Sequence, residues 1–384
     1  MGSPDPHEKR AGQGANESGR LAAGRMDAIR HLLHPRQMRE SLALAAQPYW
    51  RNASLAGLQS AVAAGIALPL VHLSPWSHLI GYAALGALVA LFGRFATARG
   101  RNRILFLCAL VQTLAVFTMS AAGWLGMPLV AKLVLLTLAC GVFFLIAVGG
   151  RFGPPGPLIF IFAAGAAMPD PASFQDVLER SAATGVVALF SWAICVLTEH
   201  VRHAAPDRPL IAEPDRPLGE LTLAAARSTI GAGIAIFAAY ALGADHPVWA
   251  AMGALAVLQG AHLHISMNRA LQRMAGTVVG ALLVWIVLDQ NPSIWAIIAL
   301  LVLLQYATEL IIGSNYALGQ ILVTPMALLM THLATRGGAG PAMVPERIYD
   351  TMLGAGIGIA VAILWSSLED RHHLARHAEQ RRPT

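Results

Sequence analysis

Twelve apolar stretches follow one another between residues 53 and 368, each bounded by polar or charged residues. They run over about 53–73, 77–97, 104–123, 128–149, 155–169 and 178–199, then 222–243, 247–265, 269–288, 293–313, 315–333 and 348–367. A helix of ~20 residues crosses the ~30 Å hydrocarbon core of a bilayer, so eleven of the twelve have spanning length. The fifth is shorter, and is expected to be re-entrant or tilted. Charged residues make up 12% of the chain, against roughly 25% in a soluble domain. The expected fold is therefore all-α and polytopic, with about twelve transmembrane helices. A soluble enzyme is excluded, and the short connections leave no room for a soluble domain between spans.

The charge that remains sits at 1–52, in the connections, and at 369–384. Residues 1–52 read as a cytoplasmic tail carrying a short amphipathic helix from Met26, where Ile29, Leu32 and Leu33 recur beside Arg30 and Arg36. A polar linker at 202–220 separates two runs of six spans, 53–201 and 221–368, and 369–384 forms a second tail. Arg99, Arg101, Arg103, Arg151, Arg202, Arg208 and Arg216 fall in connections on one side. Asp170, Asp176, Asp245 and Asp289 fall on the other, with Arg336 and Arg347 as exceptions. This positive-inside pattern places both termini in the cytoplasm. It also accounts for the net charge of +6 without nucleic acid as a partner. Cys108, Cys140 and Cys195 all lie in apolar stretches and form neither a disulfide framework nor a metal cluster.

The two runs resemble each other. Tyr82-Ala-Ala-Leu-Gly-Ala-Leu88 aligns with Trp249-Ala-Ala-Met-Gly-Ala-Leu255. Gly65-Ile-Ala67 aligns with Gly233-Ile-Ala235, Asn102-Arg103 with Asn268-Arg269, and Glu179 with Asp350. Matches of Ala, Gly and Leu are cheap in apolar helices, but these share an offset of 166–171 positions. Six spans per run is an even number, so the expected repeats are parallel.

The second run carries further motifs: Ala226-Arg227-Ser-Thr-Ile-Gly-Ala, His246-Pro-Val-Trp249-Ala-Ala, Asn268-Arg269-Ala-Leu-Gln-Arg273-Met-Ala-Gly276-Thr277-Val-Val-Gly280, and Glu346-Arg347-Ile-Tyr-Asp350-Thr-Met-Leu-Gly354. In this order they resemble the fusaric acid resistance protein family, within the aromatic acid exporter superfamily. The first run resembles it loosely, with Leu107 where the second Arg would fall and no Gly-Thr after it. The resemblance implies an exporter of aromatic or other organic carboxylates in a bacterial inner membrane, working with a periplasmic adaptor and an outer-membrane channel. Plant malate channels belong to the same wider superfamily. Many family exporters carry a sizeable cytosolic domain, which these residues do not provide.

Arg269 and Arg273 are spaced i,i+4 on one helix face, at the expected cytoplasmic start of the ninth span. They suit either a cationic entry for carboxylates, held by the guanidinium fork, or snorkelling anchors. Arg227 has the same two readings. Gly276, Thr277 and Gly280 continue the stripe as a close-packing surface, and Gly354 and Gly358 form a similar one in the twelfth span. Trp249 is a candidate for stacking on an aromatic substrate, or a residue of the interfacial belt. Glu309, Asp350, Glu179 and His246 are candidates for proton coupling, because ionisable groups at membrane depth usually serve a pathway. The alternative for the acids is interfacial solvation or pairing with Arg347 and Arg180. His262 and His264 do not share a helix face, so no metal site is expected. No catalytic constellation, nucleotide-binding motif or cofactor site is evident. The expected function is export of an organic carboxylate, with proton-motive force as the energy source. A passive anion channel and a non-transporting scaffold subunit are the alternatives.

Overall fold

The computed structural model describes residues 50–94, 96–202, 217–259, 263–335 and 340–365. The expected tails and most of the linker lie outside these residues. The described chain forms α1 (Trp50–His72), α2 (Ile80–Ala87), α3 (Ala98–Trp124), α4 (Leu129–Gly149), α5 (Leu158–Ala166) and α6 (Phe174–Leu197). Then come α7 (Leu218–Ala241), α8 (Val248–Leu258), α9 (Leu263–Asp289), α10 (Ile294–Ile311), α11 (Tyr316–Ala334) and α12 (Met343–Leu364). Among the described residues there is no strand. Nine of the helices, all but α2, α5 and α8, are long and apolar enough to cross a membrane. The protein is a multi-pass, all-helical membrane protein.

Side-chain caps set several helix starts. Ser173 accepts from the Asp176 amide, and Asp176 in turn accepts from the Ala172 amide. Asn315 accepts from the amides of Ala317 and Leu318 to open α11. Each cap satisfies an amide that the first helical turn leaves without a partner. Outward faces are apolar, as a bilayer requires: on α3, Phe106, Leu110, Leu114 and Phe117 are exposed, while Cys108, Gln112 and Met119 point inward.

The second and eighth apolar stretches differ from their expected lengths. Over 77–91 a 3₁₀ turn, α2 and a second 3₁₀ turn replace a single long helix. α8 has 11 residues, about 16 Å of helix. Every residue of α2 and α8 is buried. Hydropathy does not distinguish a segment facing lipid from one enclosed by protein, so both read as full spans. α9 and α12 begin earlier than their apolar stretches, at Leu263 and Met343. The α12 start brings Glu346 and Arg347 inside the helix, and the α9 start moves Arg269 and Arg273 further from its end.

The same helix pairs meet in both halves. α2 and α3 pack on α6, as α8 and α9 pack on α12. α1 packs on α10 and α7 on α4, while α2 meets α11 and α5 meets α8. A Cβ at Gly86 would lie 2.5 Å from the Thr184 carbonyl oxygen and 2.9 Å from the Ala188 amide. At Gly253 it would lie 2.9 Å from the Thr351 oxygen and 3.1 Å from the Ala355 amide. All three residues recur 167 positions apart. Gly276 and Gly280 bring α9 against α11, where an added Cβ would be 2.6 Å from the carbonyl oxygens of Ala317 and Ile321. Gly354 and Gly358 bring α12 against the Ala250 and Ala254 carbonyls of α8. Such contacts let backbones approach without intervening side chains.

Candidate functional site

The early start of α9 places Arg273 ten residues inside that helix rather than at its mouth, about 15 Å along its axis. Its side chain is 2% exposed. α12 likewise takes Arg347 out of the expected loop and into its second turn, where it is fully buried. The two guanidinium groups lie within electrostatic reach of each other. Arg273 Nη1 donates to the Tyr316 hydroxyl at 3.2 Å. The other five nitrogens, Nε and Nη2 of Arg273 and all three of Arg347, meet no hydrogen-bond partner among the described residues. One helical turn beyond each arginine, the buried hydroxyls of Thr277 and Thr351 are also without a partner.

Burying a cation without a counter-charge costs several kcal/mol, and each buried donor left unmade costs about 1–3 kcal/mol more. Two such cations side by side repel. The arrangement is a poor structural device, and it suits a group that brings negative charge and several acceptor lone pairs. A carboxylate does both, and the guanidinium fork matches its geometry.

Aromatic and acidic residues surround the pair. The Arg347 guanidinium lies over the Trp249 ring at 5.2 Å from its centroid. His246 stacks on the same indole at 4.4 Å with an interplanar angle of 8°. Trp249 is 1% exposed and buried as deeply as the arginines, between His246 and Arg347 as its aromatic and cationic neighbours. Glu346 holds His246 twice: the His246 amide donates to Oε1 at 2.6 Å, and Nδ1 lies 2.9 Å from Oε2. Asp350 is buried one turn after Arg347, and its Oδ2 has no hydrogen-bond partner.

The remaining sequence candidates lie elsewhere. Arg269 is one turn before Arg273 but only partly buried. Arg227 Nη2 donates to the Leu258 carbonyl at 3.0 Å, at the end of α8, a position that favours a cation at a helix C-terminus. Glu309 lies between α10 and the first half, with Oε2 3.5 Å from Arg94 Nη1. Arg94 Nη2 also donates to the Glu309 carbonyl at 2.8 Å. Glu179 sits 3.4 Å from His78 and accepts from Gln175. It does not join the arginine pair, nor does it bond Arg180.

The first half repeats part of the centre. Arg180 lies over the Tyr82 ring at 5.4 Å, and both residues stand 167 positions before Arg347 and Trp249. There, however, Arg180 Nη1 donates to the Pro169 carbonyl at 2.7 Å, and no arginine corresponds to Arg273. Arg347 and Tyr316 were not among the sequence candidates. For Arg347 a signal existed in the constant offset between the Tyr82/Trp249 pair and the Arg180/Arg347 pair. Tyr316 carried none, since only folding brings α11 beside α9.

Fold and site together define a multi-pass membrane protein with a buried cationic centre inside one half of its bundle. Residues 234–361, which carry α8 to most of α12, match the family described as fusaric acid resistance protein-like, the family that the sequence motifs resemble. Over 139 residues the chain is 34% identical to the "Uncharacterized membrane protein YvaC" of Bacillus subtilis (strain 168). That alignment covers 35% of this chain and 22% of the relative. No solved structure matches the chain.

Proposed function

We propose that the protein transports organic carboxylates, aromatic ones foremost, and that Arg273 and Arg347 hold the carboxylate during passage. The observation that carries this reading is the pair of buried guanidinium groups with five nitrogens free to donate. A carboxylate placed between them meets donors from two helices, α9 and α12, and offsets the repulsion between the two cations. Export from a bacterial inner membrane, with both termini cytoplasmic, is the direction and setting that the family's name and the arginine distribution support. A periplasmic adaptor and outer-membrane channel would complete that route. The proton gradient is the coupled quantity we assign, the sequence having no nucleotide-binding motif. We also read the two halves as parallel six-helix repeats; the Gly86 and Gly253 contacts and the paired arginine–aromatic contacts, each offset by 167 positions, support that reading.

The test is flux of benzoate and a panel of aromatic acids in proteoliposomes, with and without a pH gradient. Saturable flux that Arg273→Gln and Arg347→Gln each reduce, per correctly inserted molecule, is the expected outcome. Flux equal to that of empty vesicles would point to a scaffold role. Flux unchanged in both variants would remove the pair from the path.

A further inference from the structure

Glu346, Arg347, Asp350 and Thr351 occupy one face of the first two turns of α12, by their i,i+3 and i,i+4 spacing. Three of them are ionisable, and their surroundings differ. Both oxygens of Glu346 are engaged by His246. Asp350 is 4% exposed, and its Oδ2 has no hydrogen-bond partner. It is within electrostatic reach of Arg347, Glu346 and His246, yet no ion pair within 4.0 Å joins it to an arginine among the described residues. The other helices packed on α12 add few charges. α8 has no ionisable side chain. α9 carries Arg273, Arg269 one turn before it, His264 near its start and Asp289 at its far end. The Arg227 of α7 is bonded at the far end of α8.

We propose that Asp350 carries a proton that binds together with the anion, because its carboxylate and the substrate's carboxylate compete for the same arginine pair. This rests on the reading of Arg273 and Arg347 as the anion site. The charge balance is the argument. With Asp350 ionised, the centre holds the two arginines and the Asp350 carboxylate, the nearby Glu346 carboxylate being engaged by His246. A substrate added to that state brings a second carboxylate beside the first, and like charges at close range in a dry interior repel strongly. If Asp350 first takes a proton from water on the side to which the site is open, the substrate simply replaces the lost negative charge. The buried net charge is then the same in the empty, ionised state and the loaded, protonated state. One proton enters with each carboxylate and leaves with it, no covalent bond to carbon changes, and the passage is electroneutral; in the export direction the carboxylate's own gradient therefore drives the pair outward, against the proton gradient. By linkage, protonation of Asp350 favours anion binding by the same factor as the anion favours protonation.

The other acids do not fit this role. Glu309 is held by Arg94 in the other half, and Glu179 lies beside His78 at a partly exposed helix start.

The experiment measures benzoate binding to the purified full-length protein by calorimetry in buffers of different ionisation enthalpy. It is run across roughly pH 6–8, where a free carboxylic acid is ionised and does not itself supply a proton change. The wild-type protein should take up about one proton per benzoate bound and bind more weakly as pH rises. Asp350→Asn should bind benzoate with no proton uptake and no pH dependence, whereas Glu179→Gln should keep both. Asp350→Ser gives the same readout should the Asn variant fail to fold. Proton uptake that persists in the Asp350 variants overturns this inference, as does loss of benzoate binding by folded variants. If the wild-type protein does not bind benzoate, or Arg273→Gln and Arg347→Gln bind it normally, the anion site itself falls and takes this inference with it.

Discussion

Replacing Arg347 with Met should make the empty protein more stable and weaken its hold on its ligand. Met keeps a flexible apolar stem in contact with Trp249, and removes a guanidinium that is fully buried with none of its three nitrogens bonded. The loss includes a desolvated cation–π contact of about 2 kcal/mol. The gain is relief from burying a guanidinium that makes no hydrogen bond and lies beside a second cation, Arg273, a cost of several kcal/mol that the Asp350 carboxylate within its electrostatic reach offsets only in part. Exchange of buried charge for well-packed apolar groups is often stabilising by about 1–4 kcal/mol, and that is the range expected here. On the binding side, a hydrogen bond to a charged group contributes about 1.5–3 kcal/mol, so affinity for benzoate should fall roughly tenfold to more than a hundredfold. The assay is thermal unfolding of the purified protein in detergent, with and without benzoate. For the wild type, ligand at about 100 times Kd adds roughly 2.7 kcal/mol and raises Tm. In Arg347→Met the ligand-free Tm should rise, and the benzoate contribution at the same concentration should fall from roughly 2.7 to about 1.4 kcal/mol or less. A lower ligand-free Tm with an intact benzoate shift would show that Arg347 is a structural residue and that the physical argument for the site is wrong.

Four further outcomes follow from the contacts described. Arg180→Gln should lower Tm, since it loses the bond to the Pro169 carbonyl, worth about 1.5–3 kcal/mol, while benzoate affinity stays unchanged; a loss of affinity would place a second anion site in the first half. Arg94→Gln leaves the Glu309 carboxylate buried without its cation and should destabilise by about 3–5 kcal/mol, with much of that recovered in the double variant with Glu309→Gln, as denaturant titration will show. Gly86→Leu and Gly253→Leu should reduce folded yield on size exclusion to similar extents, because each Cβ meets the same pair of backbone atoms in its own half; a benign result for either would break the equivalence. Reporter fusions after Arg103 and after Asp289 should report opposite sides of the membrane, and the same side at both would refute the orientation.

Nine of the twelve expected spans were legible because hydropathy depends on local composition, and each of the twelve apolar segments contains a helix among the described residues. What hydropathy could not supply was the enclosure of α2 and α8, since a residue such as Ala251 is as apolar against α12 as it would be against lipid. The centre was half legible. Arg273 stood out within a spaced Arg and Gly pattern, but its depth depended on where α9 begins, and helix starts rich in polar residues such as His264, Ser266 and Asn268 look like loops. Arg347 was hidden for the same reason: Glu346 and Arg347 precede the twelfth apolar stretch and read as a connection, and only packing against Trp249 and α9 makes Arg347 interior. Glu309 was visible as an acid at membrane depth, whereas its partner Arg94, 215 positions away, was not.

The shortness of α8 bears on how the chain is made. With 11 residues and about 16 Å of length, it is too short to partition as a free-standing span while the ribosome is still feeding the bilayer. α7 and α9 flank it and run in the same sense, so leaving α8 outside would force one of them to enter backwards. The segment must therefore wait, or be held, until α12 arrives nearly 100 residues later to cover it, and the arginine centre cannot exist before that moment. Biogenesis of this protein should accordingly depend on late, C-terminal synthesis, with truncations that stop before α12 yielding chains of mixed orientation rather than a smaller working bundle.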